Sequence, residues 1–234
     1  MFDQEQIWNG LLPEFGSSQY VLASGIELLR APHFARNRDA VLATVAVGVE
    51  KLEKLALGIM AVELGHGWPR MNGNGWGHNV AVMDKRVRAA LHEQLSDGRP
   101  APYISQLLCT VDRDAVWLGI AEALEVYATQ GRFYNLDAIA GIEQPRGNPL
   151  RLWEAAEQLA LDRDPELKSA IGDDDFERRL NAALADSIYR WWAMVSLAGM
   201  HGVLGGDWGK KFGADLLPKG ALKVAIDPIC QGAG

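Results

Sequence analysis

The sequence has only two cysteines among its 234 residues, Cys109 and Cys230. They lie far apart in sequence, with no metal-ligand spacing and no disulfide framework. Cys109 follows Leu107-Leu108 and is expected to be a small buried residue, not a thiolate nucleophile. Basic residues are also in short supply: 23 Lys and Arg stand against 30 Asp and Glu, a net charge of −7. A general nucleic-acid coat would show the opposite excess, although a local basic face remains open. No long apolar run is present. The most apolar window, Trp191–Gly206, is too short for a membrane span and contains His201 and several glycines, so it is expected to be a core helix. The opening segment Met1–Trp8 is acidic and lacks the apolar stretch of a signal peptide. A cytoplasmic protein without membrane contact is the expectation.

Other absences narrow the chemistry. Internal repeats and low-complexity tracts are missing, and no Gly-x-Ser-x-Gly elbow occurs. Glu63-Leu-Gly-His66 has the Glu-x-x-His spacing of carboxylate-bridged metal sites. Such sites need a second copy and further glutamates, and no other copy is found. No metal and no cofactor is therefore expected. The glycines of Gly73-Asn-Gly-Trp-Gly77 are not followed by the Gly-Lys-Ser/Thr of a phosphate loop, and Gly209-Lys210-Lys211 lacks the upstream glycine.

What is present is helical periodicity. Apolar residues recur at spacings of three and four between short breaks at 31–36, 67–78, 96–104, 141–149, 163–173 and 204–220. None of these breaks is long enough to mark a domain boundary. The pattern predicts a single all-α domain over 1–234, a compact bundle of about six mostly antiparallel helices over 16–30, 37–66, 79–96, 112–130, 149–162 and 174–203. Asn148-Pro149 supplies an N-cap followed by proline at the first helical position. The acids Asp173–Asp175 suit the positive end of the last long helix. Ala221–Ile226 could form a short extended piece.

Charged residues on apolar stripes are the first functional signal. On the 37–66 helix Leu42, Val49, Ala56 and Met60 share a stripe, and Glu53 and Glu63 fall within about 40° of Val49. Both are expected to be mostly buried, each with a basic or hydroxyl partner, because desolvating a lone carboxylate is costly. On the next helix Asp84 sits among Val80, Val87 and Leu91, with Arg88 and His92 at successive i+4 positions. An ion-pair network tying two helices together and a functional pocket both account for this pattern. The candidate binding set is Glu53, Glu63, His66, Arg70, His78 and Asp84, grouped around the 67–78 loop.

Val47-Gly-Val-Glu-Lys-Leu-Glu-Lys, followed by a Trp/Gly loop and Gly77-His-Asn79, resembles the HEPN superfamily of compact helical bundles. The resemblance covers residues 37–95, about a quarter of the chain. Many members of that superfamily are ribonucleases, often toxins or defence proteins, and others have no known activity. Their Arg-x(4–6)-His motif places an arginine on phosphate and a histidine beside the attacking 2′-hydroxyl. The matching segment here is Arg86-Val-Arg-Ala-Ala-Leu-His92. The resemblance thus implies metal-independent acid–base catalysis by His92, with Arg86 or Arg88 holding phosphate. RNA, a nucleotide or an antitoxin-like protein would then be the partner, and a homodimer is expected. The competing reading is a non-catalytic interaction or small-ligand-binding bundle. An exposed Arg/His cluster favours the first reading, and a closed Asp84–Arg88–His92 network favours the second.

Overall fold

The computed structural model describes residues 4–31, 34–71, 76–96 and 101–232. These residues form ten α-helices and no strand: α1 Gln4–Arg30, α2 Phe34–Glu63, α3 Val80–Ser96, α4 Pro102–Asp112, α5 Ala115–Thr129, α6 Tyr134–Ile139, α7 Pro149–Arg163, α8 Pro165–Ser169, α9 Phe176–Met200 and α10 Gly206–Leu216. The all-α reading holds, but six helices was too few. Five of the predicted segments match within three residues at each end, whereas the first helix begins at Gln4 and not at 16. Of the additional helices, α8 and α10 lie inside predicted breaks, α6 is short, and α4 begins in a predicted break and continues to Asp112. Ala221–Lys223 is a 3-10 turn running into irregular chain, so the extended piece expected there is absent. No helix among the described residues is long and apolar enough to cross a membrane.

α1 and α2 pack antiparallel at close range, because glycines face side chains across the contact. A Cβ on Gly48 would lie 2.8 Å from Leu22 Cα, and one on Gly25 would lie 2.7 Å from a Val45 methyl. α9 is the central rod. Leu184, Ile188, Trp191, Val195 and Ala198 are all fully buried along it, and α1, α4, α5, α7 and α10 pack around it. The Trp191-Trp192 pair is core, as its stripe position requires. The helix starts follow their sequence signals: the Asn148 side chain accepts from Leu150 N at 2.9 Å with Pro149 in the first turn, and Asp114 caps α5 at Val116 N and Trp117 N.

α10 lies inside the break predicted over 204–220, a stretch that holds several glycines. Those glycines are what lets it lie against α9. A Cβ at Gly213 would lie 2.1 Å from Met200 N, and one at Gly209 would overlap the Leu204 carbonyl. Phe212 and Leu216 fill the space below, and the Leu216 carbonyl accepts from Trp192 Nε1 at 2.8 Å and Ser196 Oγ at 3.1 Å.

The two cysteines are joined. Cys109 on α4 and Cys230 in the last 3-10 turn (Pro228–Gly232) form a disulfide across a sequence separation of 121. The expectation of unlinked cysteines is overturned. Folding brings α4 and the segment after α10 together, a proximity that spacing along the chain does not encode.

Candidate functional site

Two neighbouring regions gather the residues singled out by sequence: a buried charged interior between α2, α3 and α5, and an open cleft where α2 ends.

In the interior, Glu53 of α2 is completely buried, and neither carboxyl oxygen has a hydrogen-bond partner among the described residues. Its burial is as expected; the basic or hydroxyl partner expected with it is absent. Burial pushes its pKa well above the usual carboxylate range, and the charges of Asp84, Glu50 and Glu125 push it further. Both effects favour the protonated, neutral form of Glu53. Asp84 of α3, 1% exposed, is by contrast saturated with donors. Its Oδ1 accepts from Trp191 Nε1 at 2.9 Å and Trp117 Nε1 at 3.3 Å, and its Oδ2 accepts from Arg88 Nε at 2.9 Å and Nη2 at 2.7 Å. The two indoles stack with centroids 4.6 Å apart. The third Arg88 nitrogen donates to Asp112 Oδ1 at 2.6 Å, and His92 Nε2 meets Asp112 Oδ2 at 2.7 Å. Burial pulls the Arg88 pKa down, but hydrogen bonds and charge from Asp84 and Asp112 more than reverse this and hold the guanidinium charged.

The network is thus closed: Asp84, Arg88, Asp112 and His92 form one chain of contacts linking α3 to α4, with the stacked indoles joining it to α5 and α9. Glu125 of α5, also buried, accepts from Val82 N at 3.2 Å in the first turn of α3 and from Arg146. Sequence reasoning missed Glu125, Asp112 and Asp114. Two of these had a signal. Glu125 interrupts the apolar run of α5, and Asp114 stands immediately before it, in the position of a cap.

The cleft forms because α2 stops and the chain must turn. Gly65 and Gly67 both take positive φ, 78° and 69°, immediately after the last helical residue. Trp68 then folds back so closely that a Cβ on Gly58 would meet its ring at 2.4 Å. Between this turn and α3 lies a hollow of about 280 Å³. Met60, Ala61, Leu64 and Ala90 are among its apolar walls, and Glu63, His66 and Arg86 stand among its polar lining. The Arg86 guanidinium lies 5.7 Å from the ring centroid of Trp76, which also lines the hollow.

Glu63 is exposed, not buried as expected. It occupies the last residue of α2, beyond most of the neighbours that cover the stripe. Its carboxylate lies against the start of α10, where a Cβ on Gly206 would come within 1.9 Å of Oε1. The free amides and dipole of a helix start favour a negative group there.

The predicted residues therefore sort into groups. Glu63, His66 and Arg86 converge on the cleft, while Glu53 and Asp84 belong to the interior. His78 Nδ1 meets Glu50 Oε2 at 2.8 Å, and Glu50 also takes Lys54 at 2.6 Å, so His78 ties the loop back to α2. Arg70 is exposed and stands outside the cleft lining. α3 runs unbroken through 86–92, so Arg86 and His92 lie about 120° apart around its axis. Arg86 faces the cleft, and His92, 59% exposed, faces Asp112. Of the Gly73–Gly77 loop, residues 73–75 fall outside the described residues. No group of three or more His, Cys, Asp or Glu among the described residues is arranged to hold a metal ion. Comparison of the chain with protein-family models, curated proteins and solved structures finds no match.

Proposed function

We propose that this chain is a non-catalytic helical bundle that binds a small, largely apolar molecule in the cleft between the end of α2 and α3. The observation that carries this reading is the cleft itself: apolar walls with a few convergent polar groups, which is the usual construction of a small-molecule site. At 280 Å³ it suits a compact ligand. Arg86, set over Trp76, would contact an anionic or aromatic group. The closed contacts of Arg88 supply a complementary argument, since its Nε and both terminal nitrogens are occupied by Asp84 and Asp112.

Anilinonaphthalene sulfonate, an apolar double ring system with one negative charge, is a suitable probe. Its fluorescence should rise to saturation at one equivalent. Ala90→Phe, which fills the hollow from α3, should abolish that signal without lowering the melting temperature. Arg86→Gln should weaken it. Equal saturation in wild type and Ala90→Phe would remove the cleft from consideration.

A second reading keeps the HEPN-like resemblance and its ribonuclease chemistry, with RNA or a nucleotide as partner. One observation favours it: His92 is exposed and hydrogen-bonded to a carboxylate, an arrangement that orients an imidazole for proton transfer. The phosphate contact would then fall to a group other than Arg86, which lies on a different face of α3. Cytoplasmic residence belongs with this reading. There the thiols of Cys109 and Cys230 would be kept reduced, whereas the disulfide persists in oxidising surroundings.

A further inference from the structure

Three hollows adjoin along one side of α9, on the face opposite in charge to the protein as a whole. The middle one, about 360 Å³, is lined by Arg30, Arg190, Lys219 and Lys223 against a single carboxylate, Asp186. It shares Arg190 with a hollow of about 310 Å³ that brings in Arg113 and Arg163 together with their carboxylate partners Asp227 and Asp114. It shares Arg30, Tyr189 and Lys219 with the largest of the three, about 550 Å³, which is mainly apolar and lies beside Tyr20, Ile26 and Trp192, with Glu27 its one carboxylate. This concentration of cations occurs in a chain whose net charge is −7.

The groove is built on fixed backbone. Tyr189 donates its hydroxyl hydrogen to the Lys219 carbonyl, and Lys223 N donates to the Gly220 carbonyl at 2.8 Å. Gly220 takes φ 81°, so the turn carrying both lysines has a defined shape. Trp192 holds the Leu216 carbonyl at one end of this wall, and the Cys109–Cys230 disulfide anchors the other. Arg30 reaches Asp186 at 2.6 Å, and Arg190 holds Asp114. Lys219 and Lys223 are exposed and have no ion-pair partner among the described residues.

We propose that this groove binds a ligand consisting of a phosphate or diphosphate head on an apolar or aromatic body. The head occupies the middle hollow, where two guanidinium groups offer directed donors and two ammonium groups offer point charges. The body lies in the large hollow between Tyr20 and Trp192. A singly charged apolar molecule would leave the lysines unused, and a bare anion would leave the large hollow empty. The site is separate from the cleft at the end of α2.

Isothermal titration calorimetry with inorganic pyrophosphate, adenosine diphosphate and geranyl diphosphate tests this and distinguishes the two sources of the body. One of the two larger ligands should bind at least roughly tenfold more tightly than pyrophosphate, and its identity says whether the body is a base or a hydrocarbon. The double variant Lys219→Glu/Lys223→Glu should weaken every probe roughly tenfold or more, and raised salt should weaken binding in wild type. Lys168→Glu, a reversal outside the groove, should change nothing. Tyr20→Ala should weaken only the ligand with a body. Ala90→Phe should leave all binding intact, so failure here and failure of the α2–α3 cleft are told apart. No heat from any probe at millimolar concentration, or affinities unchanged by the double lysine reversal, would overturn the proposal. Equal affinity for all three probes would overturn the assignment of the apolar hollow.

Discussion

Replacing Glu53 with leucine should stabilise the protein, and by more as the pH rises. Glu53 is fully buried with both oxygens unpaired among the described residues. An unsatisfied buried polar group costs about 1–3 kcal/mol even when neutral, and leucine of similar volume removes that cost. The pH dependence comes from the carboxyl proton. Burial and neighbouring acids raise the folded-state pKa well above the unfolded value. Between those two values the folded chain retains a proton that the unfolded chain has released. Stability therefore falls as pH rises through that window, by up to about 1.4 kcal/mol per pH unit. Below the unfolded pKa the contribution is flat. Urea unfolding across a pH series should show Glu53→Leu gaining on wild type as the pH rises through that window, with an unchanged m-value. Glu53→Gln should remove the pH dependence and keep much of the fixed cost, because the amide is equally unpaired. A leucine variant less stable than wild type by more than about 2 kcal/mol at every pH would refute the reasoning. It would mean that the carboxyl group has a partner it depends on.

Three further outcomes follow from the same packing. Asp84→Asn should cost about 3–5 kcal/mol in urea unfolding, since Arg88 would lose its buried counter-charge and two indoles their anionic acceptor; a loss under about 1 kcal/mol would show that the charge is not needed. Cys230→Ser should lower stability by about 2–4 kcal/mol under oxidising conditions, given the long loop that the bond closes. The difference should vanish when both proteins are reduced, and two thiols open to alkylation in unreduced wild type would count against the bond. Elemental analysis of purified protein should find no stoichiometric iron, manganese or zinc, because the single Glu-x-x-His places its glutamate against α10; a stoichiometric metal would contradict this.

The legible part of the fold was the part whose burial repeats every turn. α2, α3, α7 and α9 carry long stripes, and Asn148-Pro149 fixed a helix start because the cap and the missing proline donor act within one turn. α10 was not legible, because Gly209 and Gly213 weaken a helix locally and make sense only once α9 lies against them. α4 was hidden by Pro102, which reads as a break and serves as a first-turn residue. At the site, the stripe argument placed Glu53 correctly and Glu63 wrongly. Angular position says which way a side chain points, and only tertiary structure says whether anything covers it there. Asp84–Arg88–His92 was visible as i+4 spacing, whereas Asp112, which closes the network, comes from α4 and could not be. The disulfide escaped for the same reason.

The central claim, that the chain binds rather than cleaves, meets its most direct test in one assay: incubation of total RNA with purified wild type and with His92→Ala in the presence of EDTA, both shown to be folded by circular dichroism. The closed Asp84–Arg88–Asp112–His92 network predicts no cleavage by either protein. Cleavage by wild type that is lost in His92→Ala would contradict the account and establish His92 as a catalytic residue.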